Sequence, residues 1–217
     1  MADITIYIGN RNYSSWSLRA WLMLKQTGAA FDSVVIPLYE SGSRTEILRH
    51  SPSGKVPALR HGDVVVWDSL AIGDYLAEEY PKAGLWPAAR GARACARSVS
   101  AEMHAGFVNL RRHLPMNLRR APKPRPLTEE VQADVARIAA LWRDSRRRFG
   151  AGGEFLFGAF GIADAMYAPV VSRLRSYAVP IESDIAAYCD AIERHPPYKE
   201  WLAAARDEPM VLAQFEV

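Results

Sequence analysis

Three short segments in the first third of the chain carry residue types suited to holding anions and extended peptides. The first is Asn12-Tyr13-Ser14-Ser15-Trp16-Ser17, which follows a β-rich run and opens a helical pattern. A serine at that position caps the helix by accepting an orphan backbone N–H. The same position also suits an anion, because free N–H groups and the positive end of the helix dipole converge there. Thiols of low pKa are found in such places. Ser14 and Ser15 together supply one more hydroxyl than a cap requires. The second segment is Ser53-Gly54-Lys55-Val56-Pro57-Ala58-Leu59. Only X–Pro bonds adopt cis at modest cost, so Val56-Pro57 is a candidate cis peptide. A bend there leaves the Val56 N–H and C=O free of the sheet, and an extended peptide can dock on them as an added strand. An ordinary trans proline at a sheet edge is the alternative. The third segment, Trp67-Asp68-Ser69-Leu70-Ala71-Ile72, joins a strand to a helix. Ser69 caps that helix, whose N-terminus suits a carboxylate, and Asp68 beside it can hold an ammonium group. Ile72 stands where a full capping box requires Glu or Gln.

Positioning these segments requires a sheet with helices behind it. Ile4–Ile8 reads as a first strand, ended by Gly9 and Asn10. A helix runs through Trp16, Ala20, Met23 and Leu24 and closes at Gly28. Phe31–Leu38 is a second strand, and a short polar helix spans Arg44–His50. Ala58–Leu59 and Val64–Trp67 are strands joined by the tight turn His61-Gly62-Asp63. A helix from Ser69 to Tyr80 completes a β-α-β-α-β-β-α unit at Pro81. The first half supplies a parallel pair and the second a hairpin, with helices covering the sheet.

Beyond Pro81 the composition changes. Residues 1–81 predict an α/β domain, 82–91 a linker, and 92–217 an all-helical domain. Alanine-rich helical periodicity runs from Ala92 to about Leu114 and again from Glu129 to Arg148, with Val131, Val135, Ile138, Leu141 and Trp142 on one apolar face. Shorter helices are expected at Ile162–Leu174, Ile185–Arg194 and Pro197–Arg206. The segment APKPRP is too rich in proline to continue a helix.

Composition excludes several classes. Apolar residues make up 49% and charged residues 24%, the balance of an ordinary soluble globular protein. No apolar run reaches the length of a membrane-spanning helix. The start, MADITIYIGN, lacks the basic flank of a signal peptide, which points to a cytoplasmic protein. Cys95 and Cys189 lie far apart, without histidines at ligand spacing, so neither a zinc site nor a disulfide framework is expected. Charge is uneven: residues 1–81 hold seven basic and nine acidic residues, whereas Arg111, Arg112, Arg119, Arg120, Lys123 and Arg125 follow one another with no acid between Glu102 and Glu129. A solvated helix face and loop is the plain reading of that run; the rim of an anionic-substrate pocket and a weak nucleic-acid surface are the others.

NYSSWSLRAW, SPSGKVPAL and WDSLAIGDYL resemble, in order, the three glutathione-site motifs of serine-type cytosolic glutathione transferases of a bacterial, distantly zeta-like kind. GIADAMYAP resembles the capping motif of the family's helical domain, so the resemblance covers nearly the whole chain. It implies a thioredoxin-like N-terminal domain, an all-α C-terminal domain, a homodimer without nucleic-acid or membrane partners, and glutathione as co-substrate with no metal. Ser14 matches the serine that hydrogen-bonds the glutathione sulfur, and Ser15 competes with it because the doublet leaves the register ambiguous by one. Val56 would pair its backbone with the cysteinyl unit beside a cis Pro57, Asp68 and Ser69 would hold the γ-glutamyl end, and Lys55 and His50 would serve the glycine carboxylate. Arg19 would brace the turn that presents the serine. The electrophile pocket would draw on Tyr13, Met103, Phe107, Leu110 and Arg111; at helical spacing the apolar members could equally be core. The implied activity is conjugation of a small electrophile, with glutathione-dependent isomerisation, peroxide reduction or a non-catalytic binding module as alternatives. Two positions depart from the family pattern: Trp16 replaces the zeta-type cysteine, and Gly161 replaces the Ser or Thr that usually opens the capping motif.

Overall fold

The computed structural model describes residues 3–217. Ile4–Ile8 forms β1, and each of its five residues is buried. It lies between β2 (Phe31–Val35), parallel to it, and β3 (Ala58–His61), antiparallel to it. Strand β4 (Val64–Trp67) pairs with β3 and closes a mixed sheet of order β2-β1-β3-β4. Alternation along β1 decides which helix each side chain meets. Ile4, Ile6 and Ile8 join the main core with α1 (Ser15–Thr27) and α3 (Ser69–Glu79), whereas Tyr7 packs with Ile36 and with Ile47 of α2 (Ser43–Leu48) on the opposite face. Gly28 ends α1 in the left-handed region at φ 74°, which a residue without Cβ adopts at no steric cost. The second strand stops at Val35, short of the expected Leu38, although Ile36 N–H still reaches the Ile8 carbonyl.

The rest of the chain is helical: α4 (Arg90–Ala105), α5 (Val108–His113), α6 (Glu129–Phe149), α7 (Ile162–Ser176), α8 (Ser183–Arg194) and α9 (Pro196–Arg206). Helix α7 is its centre. Nearly every residue of it is buried, and it packs on α1 and α3 of the sheet domain as well as on α4 and α8. One core therefore runs through both halves of the molecule.

The single helix expected from Ala92 to Leu114 is two. Gly106 leaves the helix, Phe107 adopts a left-handed φ of 56°, and α5 restarts in a new direction. The restart has a cap from elsewhere: Asp134 of α6 accepts the Leu110 N–H at 2.9 Å. Local periodicity could not show a cap donated by another helix. No described helix is long and apolar enough to cross a membrane.

Candidate functional site

Strand register brings the three chemistry-bearing segments to one edge. Tyr7 pairs with Ala58, and Ala58 pairs with Trp67. The chain leaving β1 toward Ser14, the chain entering β3 from Val56-Pro57, and the chain leaving β4 into Asp68-Ser69 therefore emerge side by side. Two helix N-termini, those of α1 and α3, open at that edge.

At the first segment the two serines differ. Ser14 is the N-cap of α1: its Oγ accepts the Ser17 N–H at 3.3 Å and donates to Ser17 Oγ at 2.8 Å. Ser17 Oγ also accepts the Gly9 N–H at 3.0 Å, so the Ser14 proton is held in a closed chain that ties the helix to the end of β1. Ser15 is the first residue of the helix. Its hydroxyl and the Trp16 N–H have no hydrogen-bond partner among the described residues, and the hydroxyl is not sealed from solvent. These are spare donors at the positive end of a thirteen-residue helix.

At the second segment the Val56-Pro57 bond is cis. Lys55 is exposed, and the Val56 backbone N–H and C=O have no partner among the described residues. His50 is already engaged, stacked on Tyr7 at 3.9 Å with its Nε2 3.2 Å from Glu46 Oε1. At the third, Asp68 rather than Ser69 caps α3, with Oδ1 accepting the N–H groups of Leu70 and Ala71. Its backbone lies at φ 76°. The Ser69 hydroxyl is left buried with no partner. An unpaired buried hydroxyl costs free energy that an incoming acceptor recovers.

The family model for the glutathione S-transferase N-terminal domain matches residues 13–79, and that for the C-terminal domain matches residues 125–204. The chain belongs to the glutathione S-transferase family. Glutathione S-transferase 1 of Dianthus caryophyllus is 39% identical over 83 residues, a stretch that spans 38% of this chain and 37% of the relative. Glutathione S-transferase F9 of Arabidopsis thaliana is 24% identical over 85% of this chain and 91% of its own length. A solved structure of a glutathione transferase homolog from Burkholderia gl BGR1, with bound glutathione, is 26% identical and superposes with a TM-score of 0.70 over 94% of this chain and 98% of that one.

In this glutathione S-transferase the helical domain reaches the edge through α4 and α5. His104 Nε2 lies 3.1 Å from Asp68 Oδ2, and its ring meets the Trp16 ring edge-on. Trp16 also carries two guanidinium groups, Arg19 at 4.4 Å and Arg111 at 5.4 Å from its centroid. Arg19 is fully buried and donates Nε–H to the Met166 carbonyl, which joins α1 to α7. Its two terminal nitrogens have no partner. Burial, reinforced by the like charges of Arg173 and Arg111, pushes the Arg19 guanidinium down to about 9. Burial and then Arg111 bring Arg173 to about 10.

The residues expected to form the electrophile pocket divide. Met103 and Leu110 have no exposed surface, and Phe107 is buried at the helix break, so these three are core. Tyr13 is covered by the C-terminal tail. Its hydroxyl donates to Glu216 and accepts from Arg119 and the Leu212 N–H, which leaves it nothing to offer a substrate. Arg111 alone of the five is a charged group, half-exposed and without an ion pair among the described residues. A cavity of about 980 Å³ lies elsewhere, inside the helical domain between α6, α7 and the loop at 124–127. Sequence reasoning missed His104 and Arg173, and no local signal marked either, because both act through contacts between elements distant in the chain.

Gly161 has a reason in its surroundings. A Cβ there would lie 2.8 Å from the Leu85 carbonyl oxygen, which accepts the Ile162 N–H at 3.0 Å. The neighbouring chain occupies the space of the usual serine or threonine side chain.

Proposed function

We propose that the protein binds glutathione at this edge and activates its thiol as a thiolate, with Ser15 as the donor to sulfur. The observation that carries this reading is the pair of spare donors, Ser15 Oγ–H and Trp16 N–H, at the start of α1. A free cysteine thiol titrates at about 8.5, so little of it is ionised at pH 7. A hydroxyl donating to sulfur and the helix dipole both favour the charged form. A depression of about two units corresponds to roughly 2.7 kcal/mol and makes thiolate the dominant species. Ser14 supports this arrangement by holding the first turn, since its own proton is committed to Ser17.

The remaining groups suit the rest of the tripeptide. The free Val56 backbone offers one donor and one acceptor to the cysteinyl unit beside Pro57. The Ser69 hydroxyl and the N-terminus of α3 suit the γ-glutamyl carboxylate, and Asp68 suits its ammonium group. Lys55, exposed in the loop before Val56, suits the glycine carboxylate, and His50 is held by Tyr7 and Glu46. The glutathione bound to the Burkholderia homolog supports the ligand's identity. Val64, Val65 and Trp67 are exposed on the edge strand β4, which supports a homodimer that covers them.

The thiolate attacks an electrophilic carbon and the product is a thioether. The serine is a donor to the anion throughout, in the manner of an oxyanion hole, rather than a base. A pH titration of bound glutathione by its thiolate absorbance tests the reading. The expected result is a lowered thiol pKa that persists in Ser14→Ala and is lost in Ser15→Ala. An unshifted thiol in the wild type would point to a binding module, and absence of binding would end the proposal. Product analysis separates conjugation from isomerisation, which regenerates glutathione, and from peroxide reduction, which oxidises it.

A further inference from the structure

The seam between the domains gathers three arginines near Trp16. Arg19, Arg111 and Arg173 act on one another there, and none forms an ion pair with a carboxylate among the described residues. Two carboxylates attract these arginines from a distance, Asp134 acting on Arg111 and Asp68 on Arg19, and each is also hydrogen-bonded elsewhere. Asp68 caps α3 with one oxygen and meets His104 with the other. Asp134 holds the Leu110 N–H, and Glu102 holds Arg137 at 2.7 Å. Of the three arginines, Arg19 and Arg173 are sealed in the core. Arg111 is half-exposed, and its own contacts are weak: one long bond of 3.3 Å to the His104 carbonyl and the face of Trp16. Trp16 follows Ser15 directly in the first turn of α1, so the ring that Arg111 faces belongs to the residue after the one assigned to the glutathione sulfur.

A half-buried guanidinium that forms no close ion pair, attracted by Asp134 from a distance and repelled by two buried neighbours, has room for a further anion. Its planar fork suits a carboxylate, and the indole beside it offers apolar surface for the body of the same molecule. We propose that the electrophile this enzyme conjugates carries a carboxylate, which Arg111 holds beside Trp16 while the thiolate attacks. The inference rests on the reading of Ser15 as the thiol-activating residue. It also gives the helix break at Gly106 a role: the new direction of α5 is what brings Arg111 over Trp16.

A pair of chloronitrobenzenes tests it, 4-chloro-3,5-dinitrobenzoate and its neutral methyl ester. In each the glutathione sulfur bonds to the ring carbon bearing chlorine, and chloride leaves with the bonding pair. No oxidant or reductant is needed. Comparing the kcat/KM ratio of acid to ester between proteins cancels their different intrinsic reactivity. Arg111→Gln is expected to lower that ratio by about 10- to 100-fold, the value of a charge-assisted contact. Arg111→Lys should recover part of it, and Arg112→Gln, exposed and one residue on, should leave it unchanged. Raising ionic strength should lower the wild-type ratio. An unchanged ratio in Arg111→Gln, or equal loss on both substrates, would overturn the proposal while leaving glutathione activation intact. If the wild type turned over neither compound with a normal, unshifted glutathione thiol, the reading of Ser15 would fail and this inference with it.

Discussion

Helices α1 and α7 pack against each other, yet their first turns treat their backbone donors in opposite ways. At α7 a first-turn carboxylate ties the helix end to its surroundings. Asp164, fully buried, accepts the N–H groups of Leu156 and Gly161 and the Tyr188 hydroxyl, each at 3.0 Å. The Leu85 carbonyl takes the Ile162 N–H, so little is left for a ligand. At α1 a serine caps one donor, and the next hydroxyl and N–H are left without a partner among the described residues. Both are helix N-termini with the same dipole and the same orphan groups. What separates a structural terminus from a functional one is whether the protein itself has already satisfied the donors.

The contrast can be broken most severely at α7. Asp164→Ala leaves three donors unpaired, two of them buried, and should cost more than about 3 kcal/mol, read as a lowered urea midpoint. Gly161→Ser installs the residue that the family pattern would favour as a cap. Its Cβ meets the Leu85 carbonyl, so it should destabilise by about 1–3 kcal/mol instead of stabilising. A gain in thermal midpoint for that variant would show that the Leu85 segment yields easily. At α1 the effects are smaller and split between the two serines. Ser14→Ala removes the cap and should cost about 1 kcal/mol of stability, with a modest effect on turnover. Ser15→Ala should leave stability within about 0.5 kcal/mol and lower kcat/KM by about 100-fold. Equal behaviour of the two variants in both measurements would erase the distinction drawn between them.

Much of the fold was legible in the sequence. β1 and β4, the sheet domain's helices and the helices α6 to α9 lie within a few residues of their expected bounds, because each rests on a local signal: alternation, a 3.6-residue period, a glycine at the end. The three motif segments were legible for the same reason, as turns and caps are written in adjacent residues. Which serine has a free proton was not, since the answer depends on Ser17 and on the Gly9 N–H at the end of β1. Nor was the break at Gly106-Phe107, whose cap comes from α6. Met103 and Leu110 sit on a face that periodicity marks as apolar, but periodicity does not say whether an apolar face meets a cleft or a core.

The amino-acid sequence by itself therefore determined the elements, their order and the chemical character of the three segments at the sheet edge. Only the tertiary structure decided that Tyr13 would be covered by the tail, that Gly161 would yield its cap position to Leu85, and that Arg111 would stand unpaired beside Trp16. The physical reason is the range of the interactions. Propensity, capping and turn chemistry act within a few residues along the chain. Burial, the satisfaction of polar groups and the balance of charge are settled by whatever the fold brings alongside.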